Sequence, residues 1–142
     1  MASLNHSTII KAFEKLAEDS NPSEFFFGFL KALKFPAATI KRIQQPGNNR
    51  NIATVPGDIG LPKQIYFHPA KAGEDLQATL KTLIDDPGWQ KHQIRFFLTT
   101  DFENVVAYDR RVDDWTSFAF KDLRENYEFF LPLTGLYEKP LA

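Results

Sequence analysis

The stretch KQIYFHPAKAGEDLQATLKTLIDDPGWQKHQIRFFLTT (residues 63–100) contains a strand, a helix and a second strand in succession. Residues 63–68 alternate well enough for a strand, and residues 94–99 are nearly continuously apolar, as in a strand that is covered on both faces. Between them, residues 74–85 form a helix with Leu76, Leu80, Leu83 and Ile84 at core-facing spacing. Because a helix of this length connects parallel strands by a right-handed crossover, the stretch predicts a sheet that is at least partly parallel.

Helices and strands are also predicted on both sides of this unit. Upstream, the pattern predicts a helix over 7–19, a helix from Asn21 to the residue before Pro36, a strand or short helix over 38–44 and a strand over 52–55. Downstream, it predicts strands over 105–109 and 114–120 around a hairpin loop, then a helix over 121–130 that Pro132 ends. This order predicts an α/β domain of mixed α+β type, with a central mixed sheet and helices on its faces.

Length and composition limit the classes of protein to which the chain can belong. A chain of 142 residues is about one domain long, and we expect residues 1–142 to be a single domain at the amino end of a longer protein. The absence of cysteine excludes disulfides and thiolate zinc sites, and three histidines do not favour a structural metal. With no signal peptide and no membrane-length apolar run, we expect a cytoplasmic protein without a membrane partner. Fourteen phenylalanines predict a large aromatic core, the alternative being an apolar face that docks on another domain.

Positive charge is concentrated early in the chain, although the net charge is −1. Between Glu24 and Asp58 there is no acidic residue, but there are five cations: Lys31, Lys34, Lys41, Arg42 and Arg50. Flexible cations beside asparagine-rich turns suit contacts to phosphates, so Lys34, Lys41, Arg42 and Arg50 are our candidates for DNA-backbone binding. The alternative is an ordinary solvated face.

Asp58 is the candidate metal-binding and catalytic residue, with Glu24 as a weaker helper. Nucleases with the restriction-endonuclease fold place an aspartate at the start of one strand and an acid-any-lysine motif on the next, to hold Mg²⁺ and a cation near the scissile phosphate. Asp58 fits the first position, but the next strand offers Gln64-Ile65-Tyr66, and Lys63 points to the opposite face. No metal ligand set is therefore assigned, and Mg²⁺ would be the cofactor only of a complete site. The alternative is that Asp58 is a turn residue and His68 lies at the edge of a loop.

Several apolar motifs resemble the N-terminal region of bacterial type IIG restriction–modification proteins, in which a nuclease region precedes an adenine-specific DNA methyltransferase. They are Thr100-Asp101-Phe102, Ala107-Tyr108-Asp109, residues 120–123 and 129–135, together with 38–43 and 55–67. The resemblance implies a restriction-endonuclease-like fold, DNA as a partner and a downstream methyltransferase domain in the same polypeptide. It also implies Mg²⁺-dependent DNA cleavage if the site were complete, which the residues at 64–66 put in doubt. We therefore expect a DNA-associated, nuclease-like domain with a degenerate metal site. The alternative is a non-catalytic docking module that uses its Phe-rich C-terminal helix and residues 129–137.

Overall fold

The computed structural model describes residues 5–19, 21–45 and 51–140 and shows an α+β fold, as predicted. Its helices are α1 (His6–Asp19), α2 (Phe25–Ala32), α3 (Ala37–Gln44), α4 (Leu76–Ile84) and α5 (Pro87–Gln90). Its strands are β1 (Ile59–Leu61), β2 (Ile65–Pro69), β3 (Phe96–Thr100), β4 (Asn104–Asp109) and β5 (Asp114–Ala119). A 3₁₀ segment, Phe120–Thr134, follows β5 and is called here the C-terminal 3₁₀ segment.

The five strands form one mixed sheet in the order β1-β2-β3-β4-β5. Strands β2 and β3 are parallel, with Phe67 opposite Leu98, and every other neighbouring pair is antiparallel. Helix α4 makes the connection between β2 and β3, as the pattern of residues 63–100 predicts. The Asp75 side chain caps this helix by accepting a hydrogen bond from the Ala78 N–H.

Each face of the sheet carries its own hydrophobic core. The larger core joins the sheet to α1, α2 and the C-terminal 3₁₀ segment, and in it the Phe26 and Phe67 rings stack with centroids 4.5 Å apart. The smaller core lies under α4 and contains Tyr66, Leu80 and Phe97. Phe67 and Tyr66 belong to different cores because successive side chains of a strand point to opposite faces. The prediction of a large aromatic core is therefore confirmed.

The C-terminal Phe-rich run is part of the larger core and is not an external face. Phe130 and Leu131 are buried, at 0% and 1% exposure, whereas Leu136 and Tyr137 further on are exposed. The run is a 3₁₀ helix that continues past Pro132 and ends at Gly135, which adopts the left-handed conformation that glycine favours. The prediction that Pro132 ends this helix is wrong. Non-helical backbone at Asp122 and Asn126 divides the segment, and the Asn126 amide bonds to the Asp122 carbonyl.

The structure also decides two predictions for residues 38–55. Residues 38–44 are helical, within α3. Residues 52–55 are not a strand: the Ile52 N–H bonds to the Gly60 carbonyl of β1, and the Asn51 side chain makes the neighbouring bonds. Its Oδ1 accepts from the N–H groups of Ala53 and Gly60, and its Nδ2 donates to the Asp58 carbonyl. The strand that pairs with β2 is instead β1.

Within the described ranges, no helix combines the length and apolar character that crossing a bilayer requires.

Candidate functional site

Asp58 lies directly before β1 and its side chain is buried, although the same residue closes a turn. Its N–H bonds to the Val55 carbonyl, and the residue is 4% exposed. The Tyr66 hydroxyl donates to Asp58 Oδ2 at 2.6 Å, and His68 Nδ1 lies 2.7 Å from Asp58 Oδ1. Tyr66 and His68 reach the same carboxylate because they are two residues apart on β2 and share a face of the sheet. Asp58 is therefore more than the turn residue of the alternative hypothesis.

The second nitrogen of His68 meets another carboxylate. His68 Nε2 lies 2.8 Å from Glu74 Oε2, which also accepts from the Thr79 hydroxyl at 2.8 Å. Glu74 Oε1 accepts from the Lys71 N–H, and a turn in which the Glu74 N–H bonds to the Lys71 carbonyl holds Glu74 in place. We call Asp58, Tyr66, His68, Glu74 and Thr79 the Asp58 cluster. His68 belongs to β2 and is bonded on both sides, so its interpretation as a loop-edge residue is wrong.

The contacts of His68 with two carboxylates favour the protonated form of its ring. The hydrogen bond to Asp58 raises the pKa of His68 most, and the Asp58 charge and the Glu74 contact add to it, while burial opposes the change. A neutral imidazole has a single N–H donor, so one of these two short contacts would then join a lone pair to a carboxylate oxygen. The geometry therefore favours the doubly protonated imidazolium, in which both nitrogens donate.

The pKa values of Tyr66 and Glu74 also shift in the directions that favour these hydrogen bonds. Burial raises the pKa of Tyr66 well above its usual range, and the hydrogen bond to Asp58 raises it further, so this phenol stays a donor. The largest single effect on the pKa of Glu74 is burial, which opposes ionisation of its carboxyl group. The N–H of Lys71, the Thr79 hydroxyl and the His68 ring nevertheless lower the pKa of Glu74 below its usual value. The cluster thus favours a cation, the His68 imidazolium, between two carboxylates.

These residues do not fit Mg²⁺. The ion takes oxygen ligands in near-octahedral geometry. Both oxygens of Asp58 and both oxygens of Glu74 already accept hydrogen bonds from the protein, and the His68 ring separates the two carboxylates. Across the described part of the chain, no group of three or more His, Asp, Glu or Cys side chains could hold a metal ion.

The register of β1 against β2 shows which residues lie opposite Asp58 and should therefore be compared with the acid-any-lysine motif. Ile59 pairs with Phe67, so Asp58 lies at the level of His68, where the chain reads His68-Pro69-Ala70. Gln64 instead lies in the turn between β1 and β2, with its N–H bonded to the Leu61 carbonyl. At the corrected position an imidazole stands where the acid is needed and an alanine stands where the lysine is needed. The departure from the nuclease pattern therefore holds in the true register.

A cleft of about 490 Å³ opens beside Asp58. Its walls are mainly apolar and include Phe26, Phe67 and Phe102, and Pro22 and Ser23 form one end. Glu24, the next residue along, is exposed, and among the described contacts its carboxylate has no hydrogen bond to the Asp58 cluster. The structure thus places Asp58 at a cleft but does not bring Glu24 to it as a ligand.

The cationic candidates are exposed and lie on or after helices. Lys34 follows α2 with a left-handed backbone (φ 72°), and Lys41 and Arg42 lie on α3. Of the ion pairs between described residues, none involves these three side chains. Their charges are therefore available to a ligand. Arg50 lies outside the described residues.

A second buried aspartate lies at the end of β4. Asp109 is 0% exposed, and Arg95 binds it through Nε at 2.9 Å and Nη2 at 3.0 Å. The Lys139 ammonium lies 3.0 Å from Asp109 Oδ2, the oxygen that also accepts from Arg95 Nη2, and Arg95 donates two further bonds to Glu138. We call Asp109, Arg95, Glu138 and Lys139 the Asp109 cluster.

The structure defines a mixed-sheet α+β domain with a buried aspartate at the start of a strand, beside a cleft. The chain belongs to the family described as "MmeI, N-terminal domain", whose model matches residues 4–141, and this confirms the resemblance to type IIG restriction–modification proteins. It is also 27% identical over 137 residues to "DNA methyltransferase A" of Bacillus subtilis (strain 168). That match covers 90% of this chain and 15% of the relative, so the chain spans a small part of the relative's length. No solved structure matches.

Proposed function

We propose that this chain is a DNA-associated N-terminal domain of a restriction–modification enzyme, nuclease-like in architecture but with a degenerate metal site. In this proposal a methyltransferase domain follows in the same polypeptide and the protein acts in the cytoplasm. The family match supports the restriction–modification context. What residues 1–142 contribute is then position and DNA contact, not phosphodiester cleavage.

One observation carries the proposal of a degenerate centre. Asp58 lies directly before a strand and beside a cleft, the position that this proposal assigns to a nuclease aspartate, yet His68 lies between it and Glu74. A protein-supplied imidazolium thus neutralises the carboxylates that a metal would otherwise neutralise. Because residue 70 is an alanine and not a lysine, the cation that a nuclease places next to the scissile phosphate is missing as well.

The charge pattern supports DNA association. Lys34, Lys41 and Arg42 are exposed, and none of them forms an ion pair with a carboxylate of the described residues. Arg50 lies in the same acid-free stretch of sequence. Contacts of this kind release counterions, so binding weakens steeply with salt, in proportion to the phosphates contacted.

Charge reversal tests the proposal. The double variant Lys41→Glu/Arg42→Glu should bind duplex DNA more weakly and with a shallower salt dependence than the wild type. The matched control is Lys81→Glu/Lys121→Glu, which reverses two exposed lysines on α4 and the C-terminal 3₁₀ segment. Equal affinity of the wild type and Lys41→Glu/Arg42→Glu at low salt would remove the DNA part of the proposal. Mg²⁺-dependent cleavage by the wild type that Asp58→Ala abolishes would remove the degenerate-centre part.

Docking on a neighbouring domain is the second candidate function. Leu136 and Tyr137 are 44% and 41% exposed directly after the buried Phe-rich run. This tail offers a small apolar contact, and a docking contact of that kind should respond little to salt.

A further inference from the structure

The two edges of the sheet differ in whether the chain itself covers them. At the β1 edge, the Gly60 carbonyl accepts a hydrogen bond from the Ile52 N–H, and the Gly60 N–H donates to Asn51 Oδ1. The residues on either side of Gly60 face β2, because inward and outward backbone groups alternate along an antiparallel strand. The outward groups of β1 are therefore satisfied. β5 is the opposite edge, and within the sheet it pairs with β4 alone.

The register of β5 shows which of its backbone groups point away from the sheet. The Phe120 N–H bonds to the Glu103 carbonyl, which continues the β4–β5 ladder by one residue. Because the groups alternate, the even-numbered residues of β5 bond to β4 as Phe120 does, and the N–H and C=O groups of Trp115 and Ser117 point outward. Both residues are exposed, and between described residues no hydrogen bond reaches these outward groups.

β5 also lacks the features that keep other chains off an edge strand. Natural edge strands are very short or bulged, or they carry proline or charged side chains. β5 is six residues long, its register against β4 has no bulge, and residues 115–119 contain neither proline nor a charged residue. Trp115 is 38% exposed on this edge, with its ring centroid 4.8 Å from that of Tyr108. Such an edge suits the addition of another strand.

The sequence of β5 is complementary to itself in an antiparallel arrangement. In a register centred on Ser117, the two copies of this residue exchange both backbone hydrogen bonds, and Trp115 of each copy lies opposite Ala119 of the other. A large indole thus meets a small side chain on both sides of the centre. The register centred one residue earlier instead places Asp114 opposite Phe118, which sets a charge against a ring.

Charge favours the same arrangement. Pairing about Ser117 brings Asp113 of each copy level with Lys121 of the other, whereas a parallel pairing would bring the acidic ends of the two strands together. Lys121 is exposed and forms no ion pair with another described residue. The Tyr108 hydroxyl bonds only Oδ1 of Asp113, so Oδ2 remains available. Opposite charges therefore set the direction of pairing.

We propose that β5 is a docking edge for a second copy of this chain, and that two β5 strands pair antiparallel about Ser117 to form one sheet that continues across both copies. A contact between two short strands is smaller than the about 1,200 Å² that a stable interface buries, so the dimer is weak and forms with rising concentration. The inference goes beyond the proposed function and does not depend on DNA binding.

Analytical ultracentrifugation without DNA, over a wide range of protein concentrations, tests the contact. The average mass of the wild type should rise from that of a monomer towards that of a dimer. Ser117→Lys places two lysines opposite each other at the centre of the contact and should stay monomeric. The matched control Ser7→Lys changes an exposed residue of α1 and should dimerise like the wild type. Equal melting temperatures of the two variants show that Ser117→Lys is folded.

The absence of cysteine allows the register to be tested directly. Opposite residues of a hydrogen-bonded antiparallel pair have Cα atoms about 5.5 Å apart, a distance that a disulfide spans. Under mild oxidation, Ser117→Cys should therefore form a disulfide-linked dimer much faster than Ser7→Cys at the same concentration. The inference is overturned if the wild type stays monomeric, if Ser117→Lys dimerises as readily as the wild type, or if the two cysteine variants cross-link at equal rates. Each of these results would leave the β5 edge to a strand of another domain or protein.

Discussion

Asp58 and Asp109 are both buried aspartates at the ends of strands in one sheet, but different kinds of cation neutralise them. Asp109 is held by Arg95 and Lys139, and Asp58 by His68 together with the Tyr66 hydroxyl. Burial opposes ionisation of Asp109, but these two cations lower its pKa below the usual value. A guanidinium stays charged at every ordinary pH, whereas an imidazolium loses its proton near neutrality.

This difference separates a carboxylate whose cations stay charged from one whose neutralisation depends on the protonation of an imidazole. The Asp109 cluster joins β3, β4 and the residues after the C-terminal 3₁₀ segment, and its neutralisation does not depend on pH. The Asp58 cluster lies at a cleft, and its neutralisation is conditional. Three substitutions test this comparison, in order of decreasing expected effect.

The largest loss of stability should follow Arg95→Met. This change leaves Asp109 fully buried with Lys139 as its remaining cation, and breaking a buried pair costs about 3–5 kcal/mol. We expect about 3 kcal/mol, because Lys139 still neutralises part of the charge. Urea unfolding at neutral pH measures it. Arg124→Met is the control, since it breaks an exposed pair with Glu14 and should cost less than about 1 kcal/mol. Similar losses in both variants would mean that Asp109 does not depend on Arg95.

A smaller loss, which depends on pH, should follow His68→Gln. The variant keeps an amide donor but not the charge, so Asp58 and Glu74 lose their shared cation and stability falls by about 2 kcal/mol at about pH 6.

The pH dependence distinguishes the two clusters. Because folding raises the pKa of His68, its contribution is fully present below its unfolded pKa of about 6.5 and is lost as pH rises through the folded pKa. The gap between wild type and His68→Gln should therefore shrink as pH rises from about 6 to about 9. The gap between wild type and Arg95→Met should stay constant over the same window. A His68→Gln gap that is independent of pH would contradict the assignment of an imidazolium.

The smallest of the three effects should follow Tyr66→Phe. It removes one donor from Asp58 Oδ2 while the ring remains packed in the smaller core, and we expect a loss of about 1–2 kcal/mol. The loss should persist at about pH 9, because the raised pKa of Tyr66 keeps the wild-type phenol protonated there. A loss below about 0.5 kcal/mol in urea unfolding would show that His68 alone satisfies Asp58.

The sequence predicted the secondary-structure elements and their connection better than it predicted the residues of the site. Periodicity over residues 63–100 was sufficient for β2, α4, β3 and their parallel crossover, because these depend on local pattern and a general handedness rule. The prediction of a strand over 52–55 was wrong because the segment meets β1 through the Ile52 N–H and the Gly60 carbonyl and otherwise through the Asn51 side chain, and the alternation of residue types does not show such a side-chain contact.

Sequence reasoning found Asp58 but missed its partners. The signal for Tyr66 and His68 was their two-residue spacing on a strand that follows the Asp58 turn. Glu74 gave no comparable signal, because it reaches His68 through the connector after β2, where Gly73 adopts a left-handed conformation (φ 85°). The pairing of Arg95 with Asp109 likewise depends on the β3–β4 register, in which Asp109 lies opposite Phe96.

The measurement that bears most directly on the account is ¹⁵N NMR of the His68 ring as a function of pH, with and without millimolar Mg²⁺. The account predicts that both ring nitrogens are protonated at about pH 7, that the ring titrates above its usual value of about 6.5, and that Mg²⁺ leaves its signals unchanged. A neutral ring at about pH 6, or signals that move with Mg²⁺ in the wild type but not in Asp58→Asn, would show that Asp58 still serves a metal and would contradict the account.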